Sequence, residues 1–195
     1  MRPLILALFA ATLIPTLASA QTAAPPPPQR PNKTLTLEQA AYKKAIDDFG
    51  DQSVKLHAAA LAAYNTEIAR EKAPRCPGAD NTYAINMCLA HENELTDANY
   101  KAFVQAVRAL IALSAPEIPD MSGPTGPSRT SATETAAFDK AEAAWQAYYV
   151  AECGAVDTHW RGGTIVNAMD AECGLRLAHA RMHELDQVYS ITHPM

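Results

Sequence analysis

The chain has 195 residues, 48% of them apolar but only 7% aromatic, and a formal net charge of −5. Much of the apolar fraction is alanine, which suits thin, closely packed helices and suits a sheet badly. The acidic balance disfavours nucleic acid and anionic membrane as partners and leaves cationic proteins open.

Residues 1–20, MRPLILALFAATLIPTLASA, carry one cation at Arg2, an apolar run from Leu4 broken at Pro15, and an Ala-x-Ala triplet at the end. This pattern predicts a secretory signal peptide cleaved after Ala20, and hence a periplasmic or secreted protein. The run is shorter than the roughly 20 apolar residues that a span needs, and no charged stop-transfer flank follows, so no membrane insertion is expected. Residues 21–33, QTAAPPPPQRPNK, are proline-rich and polar and read as an extended, disordered tether.

An additional N-terminal helix is expected within residues 34–75. Thr36 with Gln39 makes a capping-box pattern, and a helical repeat runs from Leu37 to about Lys72. Leu37, Ala41, Ala45 and Phe49, then Leu56, Ala60, Ala63 and Tyr64, supply its apolar positions, with Gly50 as a candidate kink. Pro74 and Pro77 end it. Asp80 or Asn81 can cap a second helix, from about Thr82 to Leu113, with Ile85, Leu89, Leu95, Phe103, Val107 and Leu110 on its core face. Residues 114–130 hold four prolines and two glycines and read as a flexible loop, long enough to suggest a contact role.

Ser131 with Glu134 matches another capping box, opening a helix that places Phe138, Ala141, Trp145 and Tyr148 on one stripe. After a loop at 154–163 the last helix runs from about Ile165 to Tyr189. Its apolar positions are Ala168, Ala171, Leu175, Ala178, Met182, Leu185 and Tyr189, alternating by three and four. The fold class expected is all-α, a disulfide-stapled antiparallel bundle of about four helices.

Four cysteines (Cys76, Cys88, Cys153 and Cys173) in an exported chain imply two disulfides rather than a metal site. Three connectivities can be drawn; local pairing is favoured, Cys76 with Cys88 across a Pro77-Gly78 turn and Cys153 with Cys173 across the last hairpin. His179 and His183 stand one turn apart, the spacing that brings two imidazoles to one metal. They lie on a polar stripe with Glu172, Arg176 and Asp186, however, and a solvated face with charge pairing accounts for all five. No metal and no cofactor are therefore expected. Carboxylate pairs such as Glu92 with Glu94 and Asp47 with Asp48 read as solvated charge. There is no nucleophile elbow, and Gly162-Gly163 lacks the further glycines and lysine of a phosphate loop. An enzyme is not expected. Trp160, flanked by Asp157, His159 and Arg161 in the expected inter-helix loop, is the candidate partner contact.

From Cys76 to about Tyr189 the chain resembles the lysozyme inhibitor LprI N-terminal-like family. The resemblance rests on Cys76, Cys88, Asp97, Trp145, Tyr148, Cys153, Gly162, Gly163, Cys173, Arg181 and Leu185, in that order. Tyr149, Ala178 and Lys101 depart from it, standing where the family has arginine, threonine and often asparagine. The first departure removes an arginine expected to link the arms of the last hairpin. Domain limits of 76–195 for the family-like part follow, preceded by the extra helix. The resemblance implies an exported, non-enzymatic binding protein whose partner is a lysozyme or another cationic protein. From Ala136 onward there are eight Asp or Glu against four Lys or Arg, which suits such a partner. The alternative is a periplasmic interaction or envelope-stress module using the 37–72 helix.

Overall fold

The computed structural model of the chain describes residues 36–116 and 130–193. The expected signal peptide and tether, and most of the 114–130 loop, lie outside them. The described residues form four helices, α1 (Leu37–Glu71), α2 (Thr82–Ala112), α3 (Ser131–Trp160) and α4 (Val166–Tyr189), and no strand.

The starts follow local chemistry. Thr36 and Gln39 close a reciprocal capping box on α1. The Asn81 side chain accepts from Ala84 N at 2.9 Å to open α2. The α3 cap sits one residue earlier than the Ser131 pattern suggests: Thr130 accepts from Thr133 N at 3.2 Å. Gly50 neither kinks nor splits α1, which continues through it for 35 residues. Lys43–Asp47 and Lys44–Asp48 pair at i, i+4 in the turns just before it, supporting the helix locally.

Side-chain pairs give the topology. Glu67 meets Thr96, Arg70 meets Glu92 and Tyr64 meets Phe103, so α1 and α2 are antiparallel. Cys153 joins Cys173 and Glu142 meets Arg181, so α3 and α4 are antiparallel as well. Asn86 reaches Thr164 O and Asn93 faces Gly174, so α2 and α4 lie side by side and parallel. Helices α1 and α3 do not pack on one another; they flank the α2–α4 pair. The small residues Ala168, Ala171, Gly174 and Ala178 are what lets α4 come close to its neighbours. A Cβ on Gly174 would lie 2.5 Å from both Asn93 Oδ1 and the Tyr149 hydroxyl.

The main core gathers Ala60, Tyr64, Tyr100, Phe103, Val107, Phe138, Met182, Leu185 and Ile191. A second cluster, Leu89, Ala168, Ala171 and Leu175, lies beside Cys76; a third, Leu177 with the Cys153–Cys173 bridge, carries Trp145 and Tyr149. Three expectations need correcting here. Tyr148 is 51% exposed, and Tyr149 takes the inward place instead, its ring 5.4 Å from that of Trp145. Leu95 is exposed, the α2 core face having rotated to bury Thr96, Tyr100 and Phe103. Leu37 is 91% exposed and Ala41 is exposed too. Continuing the register of Tyr64 with Phe103 and Glu67 with Thr96 brings the last residue of α2, Ala112, opposite the Asp51–Lys55 stretch of α1. Among the described residues, the turns before it have no neighbouring helix in that register. Among the described residues no helix is long and apolar enough to cross a membrane.

Candidate functional site

Both disulfides lie toward one end of the bundle, where α1 and α3 finish and α2 and α4 begin. Cys76 binds Cys88, with Cα atoms 5.7 Å apart, and Cys153 binds Cys173 at 5.6 Å. Cys76 and Gly78 take positive φ in the α1–α2 turn, as Gly162 does in the α3–α4 turn. An ion pair of Arg75 with Glu172 ties the first turn to α4. Asn86 Nδ2 donates to Thr164 O at 3.1 Å and holds the second turn to α2. This end is a cross-linked platform.

The candidate contact residues sit on it, with one correction. Helix α3 runs on through Trp160, so Asp157, His159 and Trp160 form its last turn and Arg161 is its C-cap. The connecting loop is residues 161–165, far shorter than the expected 154–163; the i, i+4 pair of Asp157 with Arg161 and the Thr158-to-Gly154 hydrogen bond favour the added turn. Trp160 is 39% exposed, with the His159 ring edge-on at 5.3 Å. Tyr83, Met87 and Ile165 are exposed apolar side chains on the helix starts and loop of the same end. Partial burial and the Asp157 carboxylate both raise the Asp170 pKa, which marks two acidic groups sharing one neighbourhood.

The polar stripe of α4 is solvated only in part: Arg176 is exposed and Glu172 and His183 are half-buried, but His179 is enclosed. His179 is buried and its Nε2 lies 2.7 Å from Glu67 Oε1. Thr96 Oγ1 donates to the same oxygen at 2.5 Å, and Asn99 Nδ2 donates to Oε2 at 2.7 Å. Burial pushes the Glu67 carboxyl up, but those three hydrogen bonds outweigh it and hold the pKa at about 2. One turn along, His183 Nε2 lies 2.9 Å from Glu71 Oε2, and its Nδ1 lies 2.9 Å from the Tyr64 hydroxyl. The reason is the placement of α1: its inward stripe runs Ala60, Tyr64, Glu67, Glu71, so two carboxylates arrive where the two imidazoles point. Sequence reading missed Glu67, Glu71, Thr96 and Asn99. The legible signal was Glu67 and Glu71 continuing the spacing of Ala60 and Tyr64. An open groove of about 620 Å³ lies over this stripe, with Glu71, Arg75, His183 and Val156 among its walls.

The arms of the last hairpin are linked by an arginine after all. Arg181, on α4, donates to Glu142 on α3 from Nη2 at 2.5 Å and from Nε at 3.0 Å. Tyr100 donates to the other oxygen of the same carboxylate at 2.7 Å. Lys101 pairs with Asp97 one turn away on α2. These are structural links, and none of them opens onto the platform.

A family model described as Lysozyme inhibitor LprI matches residues 73–185. No curated protein and no solved structure matches the chain.

Proposed function

The chain belongs to the lysozyme inhibitor LprI family, and from that premise we propose that it is an exported protein that binds a lysozyme and blocks it, without chemistry of its own. The family match over residues 73–185 carries the reading. Two disulfides in a small helical protein fit the oxidising compartment outside the cytoplasm, where a lysozyme is met.

The contact surface in this reading is the stapled end. A binding surface gains affinity when it is rigid before the partner arrives, because less conformational entropy is lost. Trp160 offers the aromatic anchor, Tyr83, Met87 and Ile165 the apolar surround, and Asp157 with Asp170 the charge that draws a cationic partner. The test is a lytic assay with the oxidised chain from Gln21 onward. Inhibition at micromolar protein is expected, and a chain that leaves lysis untouched at that concentration rejects the reading. Trp160→Ala combined with Asp157→Asn should weaken inhibition by about tenfold or more while the melting temperature holds. Equal inhibition by that variant would move the contact surface elsewhere.

A second reading has its own observation. The exposed first turns of α1, with Leu37 and Ile46 uncovered, offer a surface to a partner other than lysozyme. An interaction or envelope-stress module would use them. Deleting residues 36–50 separates the two, since lysozyme inhibition should survive it and module function should not.

A further inference from the structure

We propose that the first turns of α1 are a self-association surface, on which a second copy of this chain lays its own first turns antiparallel to form a two-fold dimer. The inward stripe of α1 does not stop where α2 stops. It runs back from Ala60 through Leu56, Ser53, Phe49, Ile46 and Tyr42, alternating by four and three, the period that seats one helix against another. In the register of Tyr64 with Phe103 and Glu67 with Thr96, Leu56 and Ser53 lie alongside the end of α2. Phe49, Ile46 and Tyr42 lie beyond it, on an overhang of about 20 Å at 1.5 Å per residue. Ile46 is 40% exposed there, Tyr42, Ala45 and Phe49 are half-buried, and among the described residues no helix covers the stripe.

The charge pattern names the occupant. Lys43 and Lys44 stand in the turn before the middle of the overhang, and Asp47 and Asp48 in the turn after it. A copy turned end for end sets its aspartate turn against the lysine turn and its Phe49 toward Tyr42. The surface therefore complements itself about a point between Ala45 and Ile46, as a two-fold contact requires. A parallel pair would set lysine against lysine and aspartate against aspartate. Two lysines balancing two aspartates also make this stretch neutral in a chain of net charge −5, so two copies do not repel each other here. Leu37, exposed at the tip of each copy, then reaches the bundle end of the other. A mostly apolar cavity of about 290 Å³ opens there between His57, Leu110, Ile111 and Tyr189.

The stapled ends point away from each other in such a pair, which gives a two-headed molecule able to gain by bivalent contact. The contact lies at the opposite end of α1 from the disulfides, so it stands whether or not the lysozyme reading does, and it goes beyond the second reading by naming what lies on α1. A few turns of helix against a few turns fall short of the roughly 1,200 Å² of a standard interface. Dissociation in the range of about 10–100 micromolar is expected. At the few micromolar of a denaturation measurement the chain is a monomer.

Sedimentation equilibrium of the oxidised chain from Gln21 onward, over about 5–500 micromolar, tests it. A reversible monomer–dimer equilibrium is expected, weakened by salt because the flanking charges are exposed. Ile46→Glu with Phe49→Glu should raise the dissociation constant by about tenfold or more while the dilute chain keeps its melting temperature. Charge reversal fixes the geometry. A chain with Lys43→Glu and Lys44→Glu, and another with Asp47→Lys and Asp48→Lys, should each stay monomeric alone and pair when mixed. A chain that is monomeric throughout that range overturns the proposal. So does a dimer left intact by Ile46→Glu with Phe49→Glu, or a mixture of the charge-reversed chains that associates no better than each alone. A dimer that appears only after residues 21–35 are deleted also overturns it, and assigns the surface to that segment.

Discussion

Glu67 is the residue on which the α1–α4 contact turns. It is a fully buried carboxylate, and its hydrogen bonds come from three helices: Thr96 and Asn99 on α2, His179 on α4 and, at 3.3 Å, Arg70 on α1 itself. Truncating it leaves Thr96 and His179 buried without that acceptor, so Glu67→Ala should cost about 3–5 kcal/mol in chemical denaturation. Its acid behaviour follows from the same bonds. The folded pKa of about 2 lies below the ordinary 4.5, so the stabilisation is complete above 4.5, shrinks as pH falls between the two, and is absent below 2. The amount at stake is on the order of 3 kcal/mol. Denaturation measured across that pH range should show this slope in the parent and a reduced one in Glu67→Gln. Gly174 makes the opposite demand, for nothing at all beyond its Cα. A methyl group there meets Asn93 and the Tyr149 hydroxyl, so Gly174→Ala should lower stability by about 1–3 kcal/mol, read from a denaturant midpoint.

The helices divide by how much of each is covered. Helix α4 is the most enclosed, with ten buried positions among its 24 residues, because α1, α2 and α3 all lean on it. Helix α1 is the reverse: its buried residues, Ala60, Tyr64 and Glu67, all fall in the second half. Its first half is held by a capping box and i, i+4 ion pairs, which are worth only a few tenths of a kcal/mol each when exposed. A chain beginning at Asp51 should therefore match the parent in denaturation free energy within about 0.5 kcal/mol, losing only helical signal. Tyr64→Ala, in the covered half, should cost about 3 kcal/mol or more by the same measurement. Equal losses from both changes would show that the first turns are packed against something.

At the scale of the molecule, the two cross-links and the candidate contact surface share one end. Each disulfide closes a short loop, of 12 and 20 residues in sequence separation, so each should add about 3 kcal/mol by restricting the unfolded chain. Cys153→Ser with Cys173→Ser, and separately Cys76→Ser with Cys88→Ser, should each lower stability by that amount in a denaturant titration. A much smaller loss would show that the unfolded chain is already compact near those residues. The cost also bears on function in the proposed reading, because the bridges hold the turns that present Trp160, Tyr83 and Ile165.

Most of what depends on near neighbours in the chain was readable from residues, the α3 cap, the end of α3 and the straight passage through Gly50 excepted. The four helices, the Thr36 and Asn81 caps and the local cysteine pairing follow from spacings of three and four and from short loop closure, and the ordered cysteines, Trp145 and Gly162-Gly163 carried the family resemblance. The arrangement of the polar α4 stripe was not readable, because its partner lies 112 residues away: Glu67 faces His179 only once the α1–α2 register and the α2–α4 packing are both set. The exchange of Tyr148 for Tyr149 has the same origin, since neighbouring positions on a helix differ by a rotation that only the packed partner resolves. Local chemistry decided what the pieces are, and long-range packing decided which polar faces were enclosed, since a helix's own periodicity marks a stripe but cannot say what will cover it.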